Sequence, residues 1–528
     1  MTNREPAAPL WELIERSNRL GADRRNTNFG GGNTSAKGVV ADPISGEDVT
    51  VMWVKGSGGD LATLTAQGVS MLRLDRVRAL RDRYVDLSQE DELHQLLDHC
   101  AFGPPGAAPS IDTSMHALLP AAHVDHLHPD PVIALAASAD GEALTREIFG
   151  EEIGWVPWQR PGFDLAIKID NLREANASLR GVIMGGHGLS TWAETSDECE
   201  RISLDVIRRA ADFIEQRGTP EPLGPLRVGF GPLDEDERRM RAAALAPMIR
   251  GLAATDRPVI GRWFDDAAVL DFIGREATPR LAPLGTSCPD HFIRTKVRPL
   301  LLDLPTTATI EEQHSRLRRL HEEYREDYRR YYERYAGPET PPMRHADPAI
   351  FLIPGVGMFS FGADRPTAQV AGEFYLNAIN VIRGAEAVSA YTPVSESEKF
   401  GVEYWLLEDL KLRRRPAPKP LTGKVAVVIG VGSGIEAAIV REYEAAGAVV
   451  VVAGEAAAGP AEAAVLQFGG VDIIIGSSPT DAVGPMIAQG TGGDVVLLGS
   501  TPAAVSEMAA DLAEHRIRVN GIASDPTI

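Results

Sequence analysis

Two stretches of the chain can be laid on one another: GGHGLSTWAETSDECERISLDVIRRAADFI, from Gly185, and IPGVGMFSFGADRPTAQVAGEFYLNAINVI, from Ile353. In that register Gly188 falls on Gly357, Thr191 on Ser360 and Trp192 on Phe361, with a long helical pattern behind each. Self-similarity of this kind predicts a duplicated domain rather than two unrelated units. The copies differ at one chemical position, because His187 in the first faces Val356 in the second. The second copy is expected to lack whatever His187 does.

With 528 residues the chain is expected to hold several domains, since a single core rarely grows past about 250–300 residues. Strand-like stretches (VTVMWVKG, VIALAAS, GVIMGG) alternate with amphipathic ones such as TLTAQGVSMLRLDRVRALRDRY, which predicts an α/β fold. Residues 309–335, TIEEQHSRLRRLHEEYREDYRRYYERY, read as a long solvated helix with a tyrosine stripe packed on a neighbour. The division expected is a first domain over residues 1–220, a second over 221–412, a proline-rich linker at 413–420 and a third domain over 421–528.

A formal charge of −21 argues against a nucleic-acid partner, whose phosphates call for clustered Lys and Arg. Cys100, Cys199 and Cys288 are far apart and in no CxxC pair, so neither a disulfide framework nor a cysteine zinc site is indicated, and a reducing cytoplasm is the expected location. No leader pattern and no apolar run of about 18 residues is present, so no membrane partner is expected.

The chemistry concentrates in AAHVDHLHPDPVIALAAS, residues 121–138. His126 and His128 are two apart, so on an extended strand both leave the same face, and His123 falls out of that parity. A third candidate is His187, set between Gly185-Gly186 and Gly188, where glycines permit close approach. Three histidines suit zinc and leave a fourth position open for substrate. Upstream, in PSIDTSMHALLP, Asp112 reads either as a helix N-cap or as an acid/base carboxylate beside such a site. Two glycine-rich stretches, NFGGGNTSAKG and VKGSGGDLA, could aim backbone N–H groups at a phosphate, though neither is a Walker A loop.

GGGNTSAKG, KGSGGDLA, PSIDTSMHALLPAAHVDHLHP and GGHGLSTWA, in this order, resemble the class II aldolase/adducin fold over about residues 10–215. SCPDHFIRTK, FLIPGVGMFSFG and VAVVIGVGSGIEAA extend the likeness to bifunctional rhamnulose-1-phosphate aldolase/short-chain dehydrogenase proteins. The resemblance implies a class II aldolase α/β/α domain, a degenerate second copy and a truncated Rossmann-like domain. It also implies zinc on His126, His128 and His187, and phosphate contacts from Asn33, Ser57, Gly58 and Ser110. The catalytic carboxylate falls on Asp112, where many aldolases of this fold carry Glu. The implied substrate is a ketose 1-phosphate such as rhamnulose 1-phosphate, cleaved to dihydroxyacetone phosphate and lactaldehyde. A dimer or tetramer is the implied assembly.

From Thr422, TGKVAVVIGVGSGIEAAIVREYEAAGAVVVVAGE reads as the opening of a dinucleotide-binding unit. Gly430 and Gly434 keep part of the glycine turn, but Ile429 and Glu436 replace the Thr and the last Gly of the usual TGxxxGxG. A short-chain dehydrogenase needs a Tyr and, four residues later, a Lys; the last Tyr here is Tyr443 and the last Lys is Lys424, both too early in the chain. The expectation is a shrunken Rossmann-like remnant with its catalytic helix largely deleted, and neither NAD use nor dehydrogenase activity. Two other functions remain open on this scaffold: a pentulose-phosphate 4-epimerase using the same metal, and an adducin-like assembly module, whose members lack the metal histidines.

Overall fold

Strands β1 (Asn33–Ala41), β2 (Asp48–Lys55), β3 (Val69–Arg73), β4 (His123–Leu127), β5 (Ile153–Val156), β6 (Gly181–Met184) and β7 (Gly188–Ala193) form one sheet in the order β3-β2-β1-β4-β7-β6-β5. Every neighbouring pair is antiparallel except β5 with β6. The computed structural model describes residues 8–103, 106–407, 409, 417–429, 433–452, 459–477 and 480–522. The chain divides into two units, Met1–Leu223 with Thr286–Ile293 and Asn377–Glu408, and Gly224–Gly285 with Arg294–Leu376 and Asp409–Ile528.

Every residue of β4 is buried, which a strand reading HVDHL can sustain only if its polar groups find partners. On one face Arg16, itself fully buried, donates from Nε to Asp125 at 2.9 Å, from one guanidinium nitrogen to Ser196 Oγ at 2.7 Å, and from the other to the Ser35 carbonyl at 2.9 Å. His123 joins this group, its Nδ1 lying 2.9 Å from the same guanidinium. The residues of opposite parity are thereby left to the other face.

Two local expectations are corrected. The run after His128 is not a strand: Asp130–Ala136 is a helix with Pro131 in its first turn, and Val132 to Ala136 are all buried. A helix wrapped on all sides shows no polar period, so its apolar run looks like a core strand; Pro in the first turn was the available signal. The stretch 63–84 is not one helix either. It contains β3, then a short helix Leu74–Ala79 and a 3-10 turn Leu80–Arg83.

In the second unit β8 (Ile260–Phe264), β9 (Leu300–Leu301), β10 (Ile350–Ile353) and β11 (Gly357–Gly362) pair in the order β8-β11-β10-β9. This repeats β4-β7-β6-β5, with the same antiparallel and parallel pairings. The hairpins share a register: Met184 pairs with Gly188 and Ile353 with Gly357. Helix Ala267–Gly274 follows β8 as Asp130–Ala136 follows β4, and Arg365–Val388 follows β11 as Ser196–Arg217 follows β7. Because His126 pairs with Ser190 and Trp263 with Phe359, Trp263 stands at the place of His126 and Asp265 at that of His128. Helix Ile310–Tyr335 opens on a capping box at Thr309 and buries Tyr324, Tyr328 and Tyr331.

Five parallel strands complete the second unit: β12 (Val425–Ile429), β13 (Val449–Val452), β14 (Ile473–Gly476), β15 (Gly493–Leu498) and β16 (Ile517–Ile522), in the order β13-β12-β14-β15-β16. This is the Rossmann-like sheet expected from the C-terminal sequence. The helix between β15 and β16, expected to be largely deleted, is present: Pro502–Leu512 runs for 11 residues. Ile260 of β8 belongs to the apolar core of this sheet. Beside it the buried Arg250 guanidinium donates to Asp472 at 2.5 Å, Gln489 at 2.8 Å and the Gly423 carbonyl at 3.0 Å. Among the described residues no helix is long and apolar enough to cross a membrane.

Candidate functional site

His126 sits near the end of β4 and His128 just past it, while His187 occupies the turn between β6 and β7, which pairs β7 directly with β4. All three imidazoles are buried, and one nitrogen of each lies within 4.8 Å of the others. His126 Nδ1 donates to the Leu189 carbonyl at 2.9 Å, which leaves Nε2 with its lone pair, 3.0 Å from His128 Nε2. Among the described residues His187 Nδ1 is buried without a hydrogen-bond partner. Ligand nitrogens about 2.0–2.1 Å from a tetrahedral ion lie about 3.3 Å apart, so this donor set fits zinc with little movement.

The glycines around the site have identifiable work. A Cβ on Gly188 would fall 2.6 Å from the Leu127 carbonyl and 2.7 Å from the His128 ring. Gly186 has φ +65°, and a Cβ there would meet Val394 at 2.7 Å. Gly32, in the first glycine loop, has φ +69°, and a Cβ there would fall 2.5 Å from the His126 carbonyl.

Asp112 stands before helix Thr113–Leu118, yet its side chain makes no cap hydrogen bond. It accepts instead from Asn33 Nδ2 at 2.8 Å, and the same amide lies 3.3 Å from Ser110 Oγ. The Asn33 carbonyl accepts from His116 Nε2, whose Nδ1 meets Ser35 Oγ at 2.8 Å, so Asn33 is held at both ends. Asn33 also pairs with His126 across β1 and β4. The structure thus brings Asn33, Ser110, Asp112 and the histidine cluster together. Ser57 and Gly58 are exposed on the second glycine loop, which is tied to the Ser110 segment by the Ser57 N–H donating to the Ala108 carbonyl at 3.0 Å. Gly58 adopts φ +82°. Lys55, buried, donates to carbonyls of both loops, Gly32 at 3.1 Å and Gly56 at 3.4 Å.

Electrostatics divide the cluster. Burial, reinforced by the His128 charge, pushes His126 down to about 4. Burial likewise holds His187 well below the ordinary value. His128 is raised despite burial, by Cys288 and Asp290. Burial acts to raise Asp112, but the imidazoles of His126 and His187 outweigh it and keep the carboxylate below its ordinary range.

Sequence reasoning missed Lys55, His116, Cys288 and Asp290. The last two come from SCPDHF, whose Cys, Asp and His within four residues were the available signal. In the C-terminal sheet, Gly434 lies at the start of helix Ser433–Ala445 and a Cβ there would meet no atom of the described residues within 4 Å, whereas Gly430 lies outside the described residues.

Residues 12–211 match the model of the class II aldolase and adducin N-terminal domain, and residues 240–412 that of the aldolase class II second domain. A Bacillus subtilis (strain 168) protein named "Uncharacterized oxidoreductase YuxG" is 36% identical over 450 residues, 84% of this chain; the chain spans 64% of that relative. The N-terminal class II aldolase domain of a conserved protein from Thermoplasma acidophilum is 27% identical, covering 40% of this chain and 97% of that one, with a TM-score of 0.36. L-fuculose-1-phosphate aldolase from Thermus thermophilus is 16% identical, covering 40% of this chain and 95% of its own, with a TM-score of 0.28. The chain therefore carries, over residues 12–211 and 240–412, two domains of the class II aldolase and adducin family.

Proposed function

We propose that the chain is a zinc-dependent aldolase that cleaves a ketose 1-phosphate to dihydroxyacetone phosphate and an aldehyde, with rhamnulose 1-phosphate as first choice and lactaldehyde as its aldehyde product. The observation that carries this reading is the buried three-histidine cluster beside Asp112, a carboxylate positioned by Asn33 rather than spent as a helix cap. His126, His128 and His187 would hold the ion, which when bound supplies the Lewis acidity that polarises a substrate carbonyl. Asn33, Ser57, Gly58 and Ser110 bind the phosphate, with the two glycine loops offering backbone N–H groups. Asp112, kept ionised, takes the proton of the hydroxyl on the carbon that becomes the aldehyde and returns it to the carbon left electron-rich by C–C cleavage.

The first domain, residues 1–220, carries the site; 221–412 is its degenerate copy, and 421–528, beyond the 413–420 linker, of which 413–416 lie outside the described residues, is a dehydrogenase-like remnant. In the copy, Trp263, Asp265 and Val356 stand where the three histidines do, a set that offers no imidazole. Gly430 and Gly434 are read as what remains of a glycine turn, and oxidoreductase activity is not assigned to this chain. The Pro502–Leu512 helix holds neither Tyr nor Lys, so it cannot supply the acid/base pair of a short-chain dehydrogenase. The protein is further proposed to act in the cytoplasm as a homodimer or homotetramer.

The test is metal-stripped protein reloaded with zinc and screened against ketose 1-phosphates and pentulose phosphates. Free aldehyde is expected. Epimer interconversion without aldehyde release would mean a 4-epimerase, and inertness toward the whole set would favour an assembly module. Asp112→Asn should lower turnover by about 10²–10⁴ with the fold intact, the usual worth of an acid/base group; an unchanged rate would remove Asp112 from the chemistry.

A further inference from the structure

One carboxylate at the site belongs to neither the histidine motif nor the glycine loops. The segment Thr286–Ile293, TSCPDHFI, packs into the first unit and delivers Asp290 to the rear of the His128 ring, Oδ2 lying 2.6 Å from Nδ1. The ring's other nitrogen, Nε2, faces His126 Nε2 at 3.0 Å. His128 thus has a carboxylate against one nitrogen and the cluster at the other. The hydrogen bond at Nδ1 runs to Cys288 Sγ at 3.6 Å, while Asp290 Oδ2 makes an ion-pair contact that is shorter but out of line for the N–H.

The first glycine loop is shaped to admit this group. A Cβ on Gly31 would fall 2.5 Å from Asp290 Oδ2 and 1.7 Å from Asn28 Oδ1. The middle glycine of NFGGGN thus leaves room for a side chain about 260 residues further along the chain, an order-of-magnitude separation at which a contact is specific to the fold rather than to local sequence. Asp290 lies outside residues 12–211, the stretch that matches the N-terminal family domain.

We infer that Asp290 is the positioning carboxylate of the metal centre: its charge, 2.6 Å from His128 Nδ1, favours the tautomer with the proton on Nδ1, restrains the tilt of that ring and strengthens Nε2 as a ligand. This rests on reading His126, His128 and His187 as metal ligands. A carboxylate behind a ligating imidazole acts in this way without touching the ion, and its loss weakens metal affinity by about 10–100-fold.

The experiment uses the full chain, stripped of metal and titrated with Zn²⁺ against a chromophoric chelator, as wild type, Asp290→Asn, Asp290→Glu and His187→Ala. Asp290→Asn, nearly isosteric, should bind one zinc about 10–100-fold more weakly, with Asp290→Glu recovering part of the loss. Its metal-free melting temperature should match wild type, while the visible bands of its Co²⁺ form shift. Wild-type affinity and an unshifted Co²⁺ spectrum in Asp290→Asn would overturn the inference. So would a wild type that binds two ions of which Asp290→Asn loses one, because Asp290 would then be a direct ligand with His128 and Cys288. His187→Ala separates the two levels: undiminished zinc affinity in that variant would sink the three-histidine reading itself, whatever Asp290 does.

Discussion

The β6–β7 hairpin and the β10–β11 hairpin share register, flanking strands and following helix, yet one carries His187 in its turn and the other Val356. Val356 is fully buried, with the Trp263 indole N–H donating to its carbonyl at 3.2 Å, so the second turn is finished with apolar side chains. The first is finished with imidazoles, one of them with a buried nitrogen that has no hydrogen-bond partner among the described residues. A buried polar group without a partner costs about 1–3 kcal/mol. The comparison teaches that the scaffold does not need the histidines: the first copy tolerates a local penalty that the second has shed.

Exchanging the two turns should show the difference directly. His187→Val is expected to abolish zinc binding, so that zinc at about 100 times the wild-type Kd, which stabilises wild type by about 2.7 kcal/mol, gives the variant nothing. Without metal the variant should melt at or above the wild-type temperature; a marked loss of metal-free stability would mean that His187 is structural. The reverse exchange is smaller. Val356→His should destabilise by about 1–3 kcal/mol in denaturant titrations and add no second zinc, because it would bury an imidazole with Trp263 and Asp265 beside it. A second equivalent of bound metal would break the comparison.

The smallest effect concerns what the first sheet has and the second lacks. β4 is flanked by β1, whereas β8 ends its sheet. From β1 the buried Lys37 donates to the carbonyls of Leu119 and Ala121, and burial lowers it to about 7, reinforced by the Arg78 charge. A depressed lysine binds its proton less in the folded state, so its cost is full below about pH 7 and is relieved as pH rises toward the unfolded value near 10.5. Between pH 7 and 8, wild type should gain stability relative to Lys37→Met by at most about 1.4 kcal/mol. Parallel denaturation profiles for the two proteins would place the Lys37 pKa outside this window.

Short-range features of this site were legible and long-range ones were not. The two-residue spacing of His126 and His128, the glycines around His187 and the duplicated hairpin are local patterns, so one sequence suffices to see them. Asp112 was ambiguous because both a cap and a catalyst can precede a helix; only its bond to Asn33, brought over by β1, separates the readings. His116 was out of reach for the same reason, and SCPDHF marked Asp290 as a polar cluster without showing its partner, which packing alone sets. The helix Asp130–Ala136 was misread because burial on every side erases the period that normally betrays a helix.

The Arg250 anchor gives the C-terminal sheet a different standing from its chemistry. Substitutions on Pro502–Leu512 remove no partner of that ion pair, whereas cutting the chain before Gly423 strips Arg250 of Asp472, Gln489 and Gly423 together and uncovers Ile260. Exposing one core side chain of that size costs about 1.5–3 kcal/mol, a large part of what holds a domain folded. Point substitution and deletion therefore face opposite selective slopes in this region: side chains on Pro502–Leu512 can change one at a time at little cost, while the strands beside that helix must be inherited whole.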